Sequence, residues 1–405
     1  MTQTAKLMDD ASTRRGTASP ARWPLLSLGR VALTNFRSYG RAELGIAAKP
    51  VVLVGANGSG KTNLLEAISL LSPGRGLRGA KLGLIQRRAP IAPSAERDDA
   101  FADSLWAVSA SVVRPGGTWD IGTGLLQAQG GAPRRALHLN GAPASPSDVV
   151  ELLPMLWLTP AMDRLFLEGA SERRRFLDRL VFALNSGHAR CATRYERAMQ
   201  ERMRLLKDGV RDASWLDGLE ETMAAEGAAI TQARLATIET LNSELTARGA
   251  EGAFPCAHLS LADALGEVAI ETSELQDALC GSREKDREAG RTLTGPHLSD
   301  LEVRHTGKRA DARDCSTGEQ KALLVSIVFA NAWVQRKRRE EVAPLLLLDE
   351  IAAHLDIQRR AALIEEVLAL GAQAWLTGTD KSLFAPLQGE AQFFSISAGQ
   401  FVRAD

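Results

Sequence analysis

From Leu28 to Phe36 the chain alternates apolar and polar positions like a half-buried strand. Pro50–Val54 then forms a short apolar run suited to a strand buried on both faces. A glycine-rich stretch follows at once, after which Leu64, Leu65, Ile68 and Leu71 recur at helical spacing, so strand, loop and helix are predicted in succession. Alternation returns at Ser104–Val113, Trp119–Leu125 and Arg135–Leu139, the last closed by the turn pair Asn140-Gly141, which predicts an antiparallel layer. Between Ser171 and about Arg248 the pattern changes to charge-dense helices. Tyr195, Met199, Met203 and Leu206 share one stripe there, as in helices packed into a second lobe, and no heptad run is long enough for a coiled-coil arm. The stretch around Gly281–Arg291 carries no clear period. Beyond it the pattern predicts a strand at Asp300–His305, a helix from Gly318 to about Gln335, a buried strand at Leu345–Leu348, a helix at Ile357–Leu370 and a strand at Gln373–Thr377. Strand alternating with helix means a mostly parallel sheet, so the fold class is α/β.

With 405 residues the chain is long for one compact domain, and its 45% hydrophobic content supplies ample core. The first and last thirds, 26–165 and 290–405, are predicted to form one core with a helical lobe, 166–289, inserted between them. The polar residues 1–25, which include Asp9 and Asp10, are expected to be a flexible extension. Formal net charge is zero, which speaks against a uniformly basic nucleic-acid binder but leaves room for a local basic face. Cys191, Cys256, Cys280 and Cys315 are scattered without metal-like spacing, as expected of reduced thiols in a cytoplasmic protein. No apolar run approaches the roughly 18 residues that span a bilayer, so no membrane partner is expected.

Gly55-Ala56-Asn57-Gly58-Ser59-Gly60-Lys61-Thr62 sets G-x-x-x-x-G-K-T between the predicted strand and helix. In such a loop the glycines let backbone N–H groups curl around phosphates and Lys61 reaches the β and γ oxygens. The Thr62 hydroxyl stands where Mg²⁺ binds, and the helix N-terminus adds positive potential. Leu345–Glu350 is an apolar strand ending in two carboxylates: Asp349 is expected to hold Mg²⁺ through its water shell, and Glu350 to act as the base that orients the attacking water. Ser316-Thr317-Gly318-Glu319 opens a helix with a hydroxyl, a glycine backbone and a positive dipole. By itself it also reads as an ordinary capping box between Ser316 and Glu319. Beside a phosphate loop and Asp349-Glu350 it reads as a γ-phosphate contact.

Taken with Asn35-Phe36-Arg37-Ser38-Tyr39, Arg173–Asp178, Gly295-Pro296-His297, Leu345–Asp356 and Thr377–Asp380, these motifs cover the chain from about Leu28 to its end. The set resembles the RecF family of bacterial DNA replication and repair ATPases, which are similar to the heads of SMC and ABC-type ATPases. The resemblance implies an ABC/SMC-type P-loop core, ATP with Mg²⁺, and an ATP-dependent homodimer. It also implies binding of double-stranded DNA near single-strand/double-strand junctions, cooperation with RecR and RecO, and help in loading RecA. Lys61, Thr62, Asp349 and Glu350 would serve ATP in cis. Ser316 and Gly318 would serve the ATP of a second copy, Asp356 would lie in the loop linking the two sites, and Asn35 and Arg37 would flank the nucleotide. Cys315 and Thr317 stand where leucine and glycine are usual, Pro154–Pro160 contains no glutamine, and Thr377-Gly378-Thr379 lacks the histidine of many relatives. Slow, DNA-stimulated hydrolysis is the expectation that follows.

Charge locates the candidate DNA contacts. Residues 164–211 hold twelve Arg or Lys against six acids, a local excess of 12 − 6 = +6. Arg194, Arg202 and Arg204 are the candidates on this face, with Arg75 and Arg78 after the phosphate-loop helix and Arg336-Lys337-Arg338-Arg339 as further ones. Two other readings share the phosphate chemistry: the ATP-binding subunit of a membrane transporter, and a scaffold that binds ATP without turning it over. The long basic insertion and the resemblance at Arg173–Asp178 and Gly295–His297 speak against the transporter, and ATP turnover with and without gapped duplex DNA separates the scaffold. The leading expectation is an ATP-switched DNA clamp of a cytoplasmic, nucleoid-associated repair protein.

Overall fold

The computed structural model describes residues 24–87, 104–127, 132–209, 213–249, 253–262, 271–397 and 399–404. Nearly all of the predicted extension at 1–25 lies outside these residues.

An antiparallel sheet is built first. In it β1 (Ser27–Phe36) pairs with β2 (Tyr39–Gly45) and with β4 (Ser104–Arg114), and β5 (Gly117–Leu126), β6 (Arg134–Leu139) and β7 (Ala142–Pro143) continue the order. The turn between β6 and β7 uses Asn140 at φ 50° and Gly141 at φ 78°, the left-handed pair that a tight hairpin needs.

The second sheet is mostly parallel. Its core is β3 (Val51–Val54) flanked by β13 (Ala374–Gly378) and β14 (Gln392–Ser397), with β12 (Leu345–Leu348) and β8 (Met155–Leu158) beyond β13 and the antiparallel edge strand β15 (Gln400–Arg403) beyond β14. Side chains of β12 alternate between two cores. Leu345 and Leu347 face the antiparallel sheet and α1 (Lys61–Ser69), whereas Leu346 and Leu348 face α3 (Ala170–Leu184), α8 (Thr317–Arg338) and α9 (Ile357–Leu370). A strand covered on both faces needs apolar residues at every position, and Leu345–Leu348 supplies them. The fully buried Gln373 ties the two sheets: its Oε1 accepts from Leu28 N at 2.8 Å, and its Nε2 donates to Leu28 O at 3.2 Å and Ala47 O at 3.1 Å.

Between the two parts of this core run α3, α4 (His188–Lys207), α5 (Ala213–Gly249), α6 (Thr272–Gly281) and α7 (Arg283–Ala289), after the short α2 (Pro146–Leu152) on the core itself. Tyr195 and Leu206 are buried in small lobe cores, with Met199 and Met203 partly buried against them, so the predicted stripe is a packing face. The inserted stretch is not wholly helical. β9 (Ala257–Ala262) leaves it to pair with β10 (Asp300–His305), which also carries β11 (Ala310–Asp311). The 37 residues of α5 span about 55 Å at 1.5 Å per residue, enough to pack on α4 at one end and on α8 and α9 at the other. There Glu244 accepts from Lys337 Nζ at 2.6 Å, and Arg248 pairs with Glu366 at 2.5 Å while lying over the Trp333 ring.

The two family-like motifs outside the phosphate site meet at the seam between lobe and core. Arg173 makes a bidentate pair with Asp300 at 2.8 and 2.6 Å. Arg234 of α5 grips Asp178 at 2.8 and 2.9 Å and donates to Pro296 O at 2.6 Å. Burial would raise the Asp178 pKa, but hydrogen bonds from His188 and Arg234 outweigh it and hold the carboxyl below its ordinary value. Gly295, at φ 127°, is required by crowding, since a Cβ there would stand 2.2 Å from the Tyr195 hydroxyl, which donates to His297 Nδ1 at 2.8 Å.

Candidate nucleotide site

The loop Gly55–Gly60 links β3 to α1. Gly60 sits at φ 114°, and a Cβ on it would lie 2.8 Å from the buried Tyr39 hydroxyl, so this position needs glycine for both backbone and space. That hydroxyl donates to Gly60 O at 3.0 Å and fixes the entry to α1. The start of α1 has no side-chain cap and no acidic residue in its first turn. Its first N–H groups and the positive end of its dipole are thus left for an anion. Lys61 Nζ turns into the loop and donates to Gly55 O at 2.7 Å and Ala56 O at 3.0 Å. Burial pushes its pKa below the ordinary lysine value, against the opposing pull of Glu350 and Asp349. The Ser59 hydroxyl oxygen is buried without a hydrogen-bond partner. An unsatisfied hydroxyl, uncapped helical N–H groups and a buried ammonium in one concave loop fit a polyphosphate.

At the far side of this loop stands Asp349, 3% exposed, whose Oδ1 accepts from Thr62 Oγ1 at 3.0 Å. The same oxygen accepts from Thr377 Oγ1 at 2.9 Å, and Thr377 in turn accepts from the Glu350 backbone N–H at 2.8 Å. Burial raises the Asp349 pKa, while the two threonine hydrogen bonds pull it down. A divalent cation fits where hydroxyl and carboxylate oxygens converge, and Thr62 and Asp349 would be its protein ligands. Glu350 follows at φ 50°, an uncommon backbone for glutamate, and is partly exposed beside the loop. The sequence identifies Lys61, Thr62, Asp349 and Glu350; it does not single out Thr377 as the residue joining the last two.

Ser316 and Gly318 form a second group. Ser316 is exposed at the N-cap of α8, with its N–H donating to the Glu319 carboxylate at 3.0 Å. Pairing with Lys308, then hydrogen bonding to Ser316, brings the Glu319 pKa down to about 2. Asp356 caps α9 by accepting from Arg359 N at 2.8 Å, and Arg359 Nη1 reaches Gly318 O at 3.3 Å. Arg359, unremarkable in the sequence, is therefore the link between the signature-like turn and the Asp356 loop. No hydrogen bond or ion pair among the described residues joins this group to Lys61 or Thr62.

Asn35 is buried and donates through Nδ2 to Leu105 O, so its side chain holds the antiparallel sheet. Arg37 lies beside α1, bound to the Glu66 carboxylate, and Arg78 shares that carboxylate. Arg78 is thus part of the surroundings of α1, with 40% of its side chain still exposed. Arg75 is exposed.

On α4 the expectation for Arg202 fails. It has no exposed surface: Nε and Nη1 bind Glu220 at 2.8 Å and Asp286 at 2.7 Å, and Nη2 donates to Leu279 O at 2.7 Å. Arg202 belongs to the lobe interior and cannot meet a phosphate. Arg194 and Arg204 are exposed, paired with Glu226 at 2.9 Å and Glu201 at 2.6 Å. Arg190, Arg197 and Lys207 are also exposed on this helix and make no ion pair among the described residues. Most of the Arg336–Arg339 run is likewise spent on the fold, with Arg336 bound to Ala369 O and Glu341, Lys337 to Glu244 and Arg339 to Glu151 O, while Arg338 stays exposed with a 3.4 Å contact to Thr240 Oγ1.

The model of the RecF/RecN/SMC N-terminal domain matches residues 27–388. The chain is 46% identical over 389 residues to a DNA replication and repair protein RecF of Caulobacter sp. (strain K31), covering 92% of this chain and 96% of that one. It is 47% identical over 379 residues to a RecF of Mesorhizobium japonicum, covering 92% and 96%. Among solved structures, one of the recombination mediator protein RecF with ATPrS in the RecFOR pathway superposes with a TM-score of 0.78 at 22% identity, covering 95% of this chain and 99% of that one. An Smc head domain of Pyrococcus furiosus reaches 0.51 at 16% identity, covering 94% and 96%. The ATPase-head fold is therefore shared with both groups, and no helix among the described residues is long and apolar enough to cross a membrane. Full-length matches of this kind set aside the transporter reading, and with the phosphate loop, the paired carboxylates and the lobe seam they place the chain in the RecF family of DNA replication and repair proteins.

Proposed function

We propose that this chain is an ATP-switched clamp on DNA, with a core at 26–165 and 290–405, an inserted lobe at 166–289 and an extension at 1–25. The observation that carries the reading is the run of contacts from Thr62 through Asp349 and Thr377 to Glu350, set beside an uncapped α1. ATP, when bound, supplies the phosphoanhydride bond. Lys61 and the N–H groups of α1 neutralise its phosphates, Thr62 and Asp349 hold Mg²⁺, and the Glu350 carboxylate orients water and accepts its proton. Ser316 is exposed and, with the partly exposed Gly318, would complete the site of a second copy, so that ATP closes a homodimer. Exposed cations of α4, with Arg75, would grip double-stranded DNA at a gap or junction. A similar structure titled as the recombination mediator RecF of the RecFOR pathway supports RecR and RecO as partners; loading of RecA, in the cytoplasm at the nucleoid, would be the outcome.

ATP turnover with and without gapped duplex DNA tests the reading. Slow turnover raised severalfold by the gapped duplex is expected; turnover that ignores DNA would contradict it.

A further inference from the structure

Glu66 is a carboxylate with no exposed surface, one turn beyond Thr62 on α1. A buried carboxylate is costly unless it is paired and hydrogen-bonded. Here the partners come from two other segments. Arg37, in the turn between β1 and β2, donates through Nε and Nη2 to the two Glu66 oxygens at 2.9 and 2.7 Å. Arg78, from the segment after α1, donates through Nη1 at 3.2 Å. Asn63 extends the set, accepting from Arg78 at 2.9 Å and donating to Ser38 Oγ at 3.0 Å.

One anion held between two cations leaves a surplus positive charge beside the loop. The two guanidiniums keep 22% and 40% of their side chains exposed while Glu66 keeps none, so the acid is the fixed member and the arginines are the ones presented. The turn carrying Arg37 is itself held in an uncommon shape, with Asn35 at φ 53° and Arg37 at φ 50°. It is tied by Arg37 N to Ile85 O at 2.8 Å and by Arg37 Nη1 to Leu84 O at 3.1 Å.

We propose that Glu66 is a positioning residue that fixes Arg37 and Arg78 beside the phosphate loop, so that an anionic ligand meets two guanidiniums in addition to Lys61. The proposal rests on the reading of the loop as a triphosphate site. It makes ATP affinity depend on an acid that never touches ATP.

A double-mutant cycle on the full chain tests it, with a fluorescent ATP analogue for affinity and thermal unfolding as a control. Glu66→Gln keeps the shape and removes the charge, and is expected to weaken binding about tenfold by freeing both arginines. In a chain already carrying Arg37→Ala and Arg78→Ala, the same substitution should cost nothing further. An equal loss in that background overturns the proposal, as does parental affinity in Glu66→Gln with only a lowered melting temperature. Should Glu66→Gln fail to fold, Arg37→Lys with Arg78→Lys keeps the charges and loses the planar fork. Weakened ATP binding at a near-parental melting temperature is then expected, and parental affinity overturns the proposal. Absence of binding by the parental chain overturns the triphosphate reading and this proposal with it, whereas parental binding that Glu66→Gln leaves unchanged overturns the role of Glu66 alone.

Discussion

Thr377 Oγ1 donates to Asp349 Oδ1 at 2.9 Å and accepts from the Glu350 backbone N–H at 2.8 Å, so one hydroxyl at the end of β13 ties the Asp349 carboxylate to the backbone of Glu350. Thr377→Val keeps the volume and removes both bonds. A hydrogen bond to a charged group is worth about 1.5–3 kcal/mol, so turnover should fall about 10- to 100-fold with little change in KM. Steady-state hydrolysis at saturating ATP checks this, and parental kcat would mean that Thr62 and the backbone suffice to hold Asp349 and Glu350.

Lys61→Ala removes the one ammonium buried in the phosphate loop. Calorimetric titration with ATP and Mg²⁺ should show binding abolished or weakened by more than about 100-fold, since a buried polyphosphate would lose its main cation. Retained affinity would shift the burden to the α1 N-terminus.

Ser316 is exposed and makes no bond to Lys61, so Ser316→Arg should leave ATP binding by the single chain intact. Bulk at this position should block docking onto a second copy. Light scattering with ATP checks it, and a normal dimer signal would refute a role for Ser316 across the interface.

The exposed cations of α4 and the buried one should separate cleanly. Arg190→Ala, Arg197→Ala and Arg204→Ala together should weaken duplex binding and flatten the slope of log affinity against log salt by up to about 0.9 for each phosphate that is no longer neutralised. Arg202→Ala should instead leave the buried Asp286 without its ion-pair partner and Glu220 with Arg283 alone, and cost about 3 kcal/mol of stability, read as a lowered melting temperature. Normal stability of Arg202→Ala would place that guanidinium outside the lobe interior.

These contrasts mark what local pattern can and cannot reveal. Leu345–Leu348, Asp300–His305 and Ile357–Leu370 fold over the spans that their periodicity predicts, because burial on one or two faces writes a period into the residues themselves. β9 does alternate over Ala257–Ala262, but it lies within a stretch whose other elements are helices, and its pairing with β10 is what gives it a ladder. α7, Arg283–Ala289, is so polar that its period is faint. Arg202 resembles its exposed neighbours in sequence because charge carries no record of which face it takes, and its partners lie 18 and 84 residues away. Glu66 is hidden for the same reason: a lone acid in an apolar helix gains meaning only when Arg37 and Arg78 arrive from other segments.

If ATP held by one copy closes the site against another, sedimentation velocity of Glu350→Gln is where it should show. This variant keeps the cradle, Lys61 and Asp349 but slows water attack, so with ATP and Mg²⁺ it should run as a stable dimer and without ATP as a monomer. Monomers at every ATP concentration, from a chain shown by titration to bind ATP, would contradict the account.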